Sequence, residues 1–186
     1  MIPEILVPQQ GLKRRSVSLP WFTLISAIWL ISVYNVPFWN TVILSRKTLL
    51  INDLPFILST FAVLMLVFNS LLALITFPRL AKPAVIVLVL LSAIAASFSM
   101  RLGALIDKSM IQNVFETDWA EATALINPSF LLDFALLGLL PAAVISCIRV
   151  HSGTLRRELL TKFVTIFCGI AVSVLLIWMF SAEYSS

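Results

Sequence analysis

Three polar residues set four apart, Asn113, Thr117 and Glu121, form the arrangement in this sequence best suited to hold a ligand. On a helix each residue advances by about 100°, so the three fall within an arc of roughly 80° and present an amide, a hydroxyl and a carboxylate together. Those groups suit a small cationic headgroup such as an ammonium. The surrounding segment is amphipathic: Ile111, Phe115, Trp119, Ala122 and Ile126 make an apolar stripe, and Gln112, Asn113, Glu116, Thr117 and Glu121 fall opposite it. A helix of this kind beside membrane spans lies on the membrane surface or packs on top of the bundle. Two plainer readings stand beside the binding one. Any surface helix has a polar face, and Asp118 with Glu121 makes an acidic variant of the capping box, able to start a helix there.

Other reactive residues are sparse. The single histidine, His151, has no ligand-like companion, and Cys147 and Cys168 sit inside apolar stretches, where they read as small buried hydrophobes. Intramembrane ionisable residues mark ion and proton pathways, yet the apolar runs contain only Asp133, close to one end of its run. This disfavours a small transporter. No metal site is expected in the chain. The net charge of +4 comes from basic residues beside apolar runs, not from a basic helix with stacking aromatics, so nucleic acid is not expected as a partner.

The elements that must position the polar triad are membrane helices. The chain is 60% hydrophobic and 12% charged, with a mean hydropathy of +1.04. A soluble domain of this size has too much surface to cover for that composition. Charge-free runs predict five spans in a single membrane domain, residues 1–186, at about 19–38, 54–78, 83–100, 129–149 and 162–182. The fold class is therefore all-α, a polytopic membrane protein with five transmembrane helices and an amphipathic helix in the loop 101–127, between the third and fourth spans. The first span is too long for a cleaved signal and reads as a signal anchor. With the N-terminus cytoplasmic, the inner segments hold Lys/Arg at nine positions (13, 14, 15, 79, 82, 149, 156, 157 and 162) and the outer ones at four (46, 47, 101 and 108). The positive-inside rule thus places the N-terminus inside and the C-terminus and the 101–127 loop outside. Gly138, Ala142 and Ser146 on the fourth span, and Ser92 and Ala96 on the third, are ridges of small residues that permit close helix approach. Asn127 followed by Pro128 predicts an N-cap and first helical residue.

The stretch from Gly103 to Leu125 carries the pattern Asp-x-x-Met-Ile-Gln-Asn-x-x-x-Thr-x-x-x-Glu-Ala. It resembles the membrane domain of the lipid A phosphoethanolamine transferases, the family that includes the polymyxin (colistin) resistance enzymes of Gram-negative bacteria. The likeness extends over nearly the whole chain, through Arg15-Ser16, Asn35 and Phe38, Lys82-Pro83, Asn127-Pro128, Leu140-Pro141 and Ser181-Ala182-Glu183-Tyr184. It implies an inner-membrane protein with phosphatidylethanolamine and lipid A as partners. It also implies a periplasmic catalytic domain of alkaline-phosphatase-like fold whose zinc-activated threonine takes phosphoethanolamine from the first lipid and passes it to the second. Asn113, Thr117 and Glu121 match the positions that help bind the lipid headgroup in that family. The nucleophile and zinc ligands are expected in a catalytic domain, in cis or as a split partner, that these 186 residues do not contain; Thr117 is not that nucleophile. On its own the chain is expected to be inactive. It is either the anchoring and lipid-binding part of such a transferase or a non-catalytic membrane scaffold or lipid-binding protein derived from it.

Overall fold

The computed structural model describes residues 16–45, 50–77, 79–102, 127–151 and 153–184. The chain enters through a short strand β1 (Ser16–Ser18) and then forms α1 (Leu19–Val33), α2 (Val36–Leu44), α3 (Leu50–Ile75) and α4 (Ala81–Leu102). It continues as α5 (Pro128–Phe134), a π-helical turn (Ala135–Leu139), α6 (Leu140–Cys147), strand β2 (Arg149–His151), α7 (Leu155–Met179) and the single turn α8 (Ser181–Tyr184). Segments 53–75, 81–100, 128–147 and 155–179 are each long and apolar enough to cross a membrane. The α1–α2 pair passes the same test only when taken together.

Burial is inverted relative to a soluble domain. Trp21, Leu71, Phe167 and Trp178 are exposed, whereas Ala27, Ala81, Ala93, Ala96 and Ser97 are buried. Apolar side chains facing lipid cost nothing, and small side chains let helix backbones approach. Two contacts show this packing. On the π-helical turn, buried Gly138 lies so near α4 that a Cβ there would stand 3.2 Å from the Ala93 methyl. On α7, a Cβ at Gly169 would stand 2.5 Å from Ser70 Oγ of α3. Gly138 and Ala142 do turn toward α4, but Ser146 is exposed and bonds back to its own helix. The buried stripe of α4 is Val85, Val89, Ala93, Ala96 and Ser97; Ser92, at its margin, is only half-buried. Buried hydroxyls are satisfied within their own helices, as Ser26 on Phe22 O (2.7 Å), Ser70 on Leu66 O (2.7 Å) and Ser173 on Gly169 O (2.7 Å).

The first apolar run does not stay straight. It bends by 62° between α1 and α2. Pro37 has no N–H for the Val33 carbonyl and its ring clashes with a continued helix. The carbonyls freed at the end of α1 gain side-chain donors, Asn35 Nδ2 on Leu30 O and Trp39 Nε1 on Ile31 O, both at 3.0 Å. In a lipid environment such carbonyls have no water to turn to. The last long helix starts earlier than its charge-free run, at Leu155, because Arg156, Arg157 and Glu158 form its first turn.

The two strands pair in parallel, with Ser16 opposite Arg149, Val17 opposite Val150 and Ser18 opposite His151. They join the entry of α1 to the exit of α6. Lys82 Nζ donates to Ser146 O (3.2 Å) and Lys162 Nζ to Thr76 O at the same end. Arg79, Lys82, Arg149, Arg156, Arg157 and Lys162 all belong to this basic end of the bundle. The opposite end gathers α2, the start of α3, the end of α4, the start of α5 and α8.

Candidate functional site

Asn113, Thr117 and Glu121, with the amphipathic segment that carries them, lie outside the described residues, as does Lys13-Arg14-Arg15. The structure describes the frame on either side. The helix before the segment ends at Leu102, and the next begins after Asn127. Asn127 has the extended backbone of an N-cap (φ −102°, ψ 166°), and its Oδ1 accepts the Phe130 N–H at 2.8 Å. Asn127 and Pro128 thus start the helix as the sequence predicts. Phe98 of α4 packs against Phe130 of α5 with ring centroids 5.4 Å apart. Both ends of the segment are thereby held side by side, at the end of the bundle remote from the basic cluster. Asp133 is half-buried, one helical turn beyond the start of α5.

Behind this frame lies a polar joint. Pro141 has no N–H to offer the Leu137 carbonyl, four residues earlier. The Tyr34 hydroxyl, at the α1–α2 bend, donates to that carbonyl at 2.6 Å, and Trp29 Nε1 donates to the hydroxyl at 3.2 Å. Tyr34 is 7% exposed and Trp29 43%, so the joint is buried on the tyrosine's side. A second joint holds the chain's last described turn. The Tyr184 hydroxyl bonds Thr60 Oγ1 (3.1 Å), lies 3.5 Å from Ser59 Oγ, and its ring packs tilted against Phe56 with centroids 4.9 Å apart. Sequence reasoning did not single out Tyr34 and Trp29. The signal available for them was the pair of prolines, 37 and 141, inside otherwise uninterrupted apolar runs.

Among the described residues, no three His, Cys, Asp or Glu side chains come together as metal ligands would. Cys147 and Cys168 are free and exposed, which corrects their reading as buried. They sit on helix faces turned away from the bundle, where a thiol meets lipid as comfortably as a small hydrophobe meets a core.

Many residues that carry the family resemblance are therefore those that make the joints: Asn35, Lys82, Asn127, Pro141 and Tyr184. A family profile described as phosphoethanolamine transferase EptA/EptB matches residues 64–186. This chain belongs to that family. Among EptA/EptB relatives, the phosphatidylethanolamine transferase Mcr-1 of Escherichia coli is 30% identical over 177 residues, covering 93% of this chain and 32% of that protein. Phosphoethanolamine transferase EptA of Escherichia coli (strain K12) is 30% identical over 176 residues, with 94% and 32% covered. The solved integral membrane protein lipooligosaccharide phosphoethanolamine transferase A (EptA) from Neisseria meningitidis matches the fold with a TM-score of 0.82 at 21% identity, over 92% of this chain and 32% of that one. The chain spans about a third of the length of these relatives. It corresponds to the membrane-embedded, N-terminal helical domain of an EptA/EptB protein.

Proposed function

We propose that this domain anchors a phosphoethanolamine transferase in the bacterial inner membrane and presents the lipid donor at its outer face. In this reading phosphatidylethanolamine is the donor and lipid A the acceptor. Asn113, Thr117 and Glu121 line one side of the donor headgroup site, with Glu121 facing the ammonium. The single observation that carries the reading is membership of the EptA/EptB family over residues 64–186, a stretch that includes all three positions. The N-terminus is cytoplasmic, because the basic end of the bundle then faces the side on which Lys and Arg accumulate. The reading assigns the zinc and the threonine nucleophile that the family resemblance implies to the part of the relatives' length that this chain does not span.

The experiment is a fusion of this domain to the catalytic domain of Mcr-1, assayed at limiting phosphatidylethanolamine. A charge-assisted hydrogen bond contributes about 1.5–3 kcal/mol, reduced where water reaches it, so Glu121→Gln is expected to lower turnover about tenfold with normal membrane insertion. Glu116→Gln, on the same polar face but outside the triad, is expected to leave turnover unchanged. Equal turnover of Glu121→Gln and wild type at limiting lipid rules out the site. If Glu121 instead acts only in a capping box with Asp118, alanine at either position lowers stability by about 0.5–2 kcal/mol without altering lipid dependence.

A further inference from the structure

The fourth span stores one extra residue. Between α5 and α6, the π-helical turn Ala135–Leu139 closes on a bond from the Leu140 N–H to Ala135 O, five residues back where an α-helix reaches four. A helix that takes in a residue this way turns everything before it by about 100° relative to an unbroken α-helix. The effect can be followed from Ala142, which is buried toward α4. In an unbroken α-helix Leu131 and Ala135 would lie within about 20° of Ala142, and Asp133 would stand about 180° from it, facing lipid. With the stored residue, Phe130 and Phe134 come within about 20° of Ala142, Leu132 moves to about 180° and Asp133 to about 80°. The structure has the second arrangement. Phe130 packs on Phe98 of α4 with centroids 5.4 Å apart, and Phe134 lies against the buried core. Leu131 and Leu132 are 55% and 59% exposed, and Asp133 is half-buried.

Solvation is nearly indifferent to most of this exchange. Phe, Leu and Ala can face lipid tails or other helices at little cost, so the two registers differ chiefly in what Asp133 meets. A carboxylate turned to the hydrocarbon is costly. The unbroken register asks for no donor that the chain lacks, because the Leu137 carbonyl that Pro141 cannot serve already has the Tyr34 hydroxyl. We propose that the π turn makes the outer half of the fourth span a two-register element, able to rotate by one residue about its axis, and that the charge of Asp133 holds it in the register described. The element carries the Asn127 cap at its start, so its register sets the direction from which the chain enters α5. The register is independent of where the donor lipid binds.

The test uses the 186-residue chain in lipid nanodiscs, with Cys147 and Cys168 replaced by serine. One cysteine replaces Phe98 and a second replaces either Phe130 or Leu131, and the rate of disulfide closure reads which of the two faces α4. In the otherwise unchanged chain, Phe98→Cys/Phe130→Cys is expected to close about tenfold faster than Phe98→Cys/Leu131→Cys, because only the first pair has its Cβ atoms turned toward each other. Exchanging two neighbours, Asp133→Phe/Phe134→Asp, puts the carboxylate against the core in the π register and at about 80° from Ala142 in the unbroken one. That exchange is expected to reverse the preference, so that Leu131→Cys closes faster. Asp133→Leu, which removes the charge alone, is expected to bring the two rates together. Deletion of Leu136 takes out the stored residue without turning α5, and is expected to keep the preference for Phe130→Cys and a helical circular dichroism spectrum. An Asp133→Leu chain with the original tenfold preference overturns the proposal, whether or not the exchanged chain folds. So does a Leu136 deletion that closes faster through Leu131→Cys or fails to fold, because the turn would then hold no spare residue.

Discussion

One hydroxyl decides how α1 is fastened to the broken helix opposite it. Tyr34 donates to the carbonyl that Pro141 leaves without its usual partner. Tyr34 is buried, so removing the hydroxyl leaves a buried acceptor, and Trp29 loses its own acceptor as well. Tyr34→Phe is expected to lower stability by about 1–2 kcal/mol, read as a shift of the unfolding midpoint in a detergent titration. In a Pro141→Ala background residue 141 regains an N–H for Leu137, so the same substitution is expected to cost about 1 kcal/mol less. An unchanged cost in both backgrounds would separate Tyr34 from Pro141. Such a pairing lies beyond a sequence pattern, because the two residues are more than 100 positions apart and neither is chemically unusual. The Asn127 cap was legible for the opposite reason: donor and acceptor are three residues apart, and Pro128 marks the start.

At the scale of elements, α7 lies against α3 through a glycine facing a serine. A methyl added at Gly169 meets Ser70 Oγ at 2.5 Å, closer than real contacts allow, while the next atom, Leu66 O, is at 3.4 Å. Gly169→Ala is therefore expected to cost about 1–3 kcal/mol in the same titration. Ser70→Ala removes the obstructing oxygen, so the double variant is expected to recover most of the loss. If it recovers none, the strain lies in the helix backbone and not at this contact. The sequence pointed to a small-residue ridge on each of the third and fourth predicted spans without pairing them; the structure sets Gly138 of the fourth against Ala93 of the third. The sequence did not point to Gly169, since Gly169 and Ser173 show only half of a ridge and their partner is on a helix some hundred residues earlier. The bend after α1 escaped notice too, because a count of uncharged residues registers composition and passes over Pro37.

For the molecule as a whole, apolar composition made the membrane-embedded helical fold readable in the sequence, and the resemblance along the chain made the family readable. The candidate headgroup residues were legible only as a spacing of four, and they lie outside the described residues. The orientation can be tested directly. With Cys147 and Cys168 replaced by serine, single cysteines at Ser45 and Gly153 are expected to label from opposite sides of the membrane. Gly153→Cys should be tolerated, since a Cβ there meets only Arg157 Cδ, at an ordinary contact distance of 3.8 Å. Ser45→Cys, past the end of α2, is expected to react with an impermeant maleimide once the outer membrane is opened. Gly153→Cys is expected to need a permeant one. Labelling of both from one side would exclude the N-inside arrangement.

The parallel pair at the basic end sets an order of events in time. β1 is made before every described helix, and its partner Arg149–His151 follows all of them but α7 and α8. At ~5–20 residues per second, the roughly 130 residues between them take about 7–26 s to synthesise. Throughout that interval α1 is without its clasp, and for most of it Tyr34 has no Leu137 to hold. Until the fourth apolar run is made, the first helix has only α3 and α4 of the later helices to pack on, and the bundle closes on it when that run arrives.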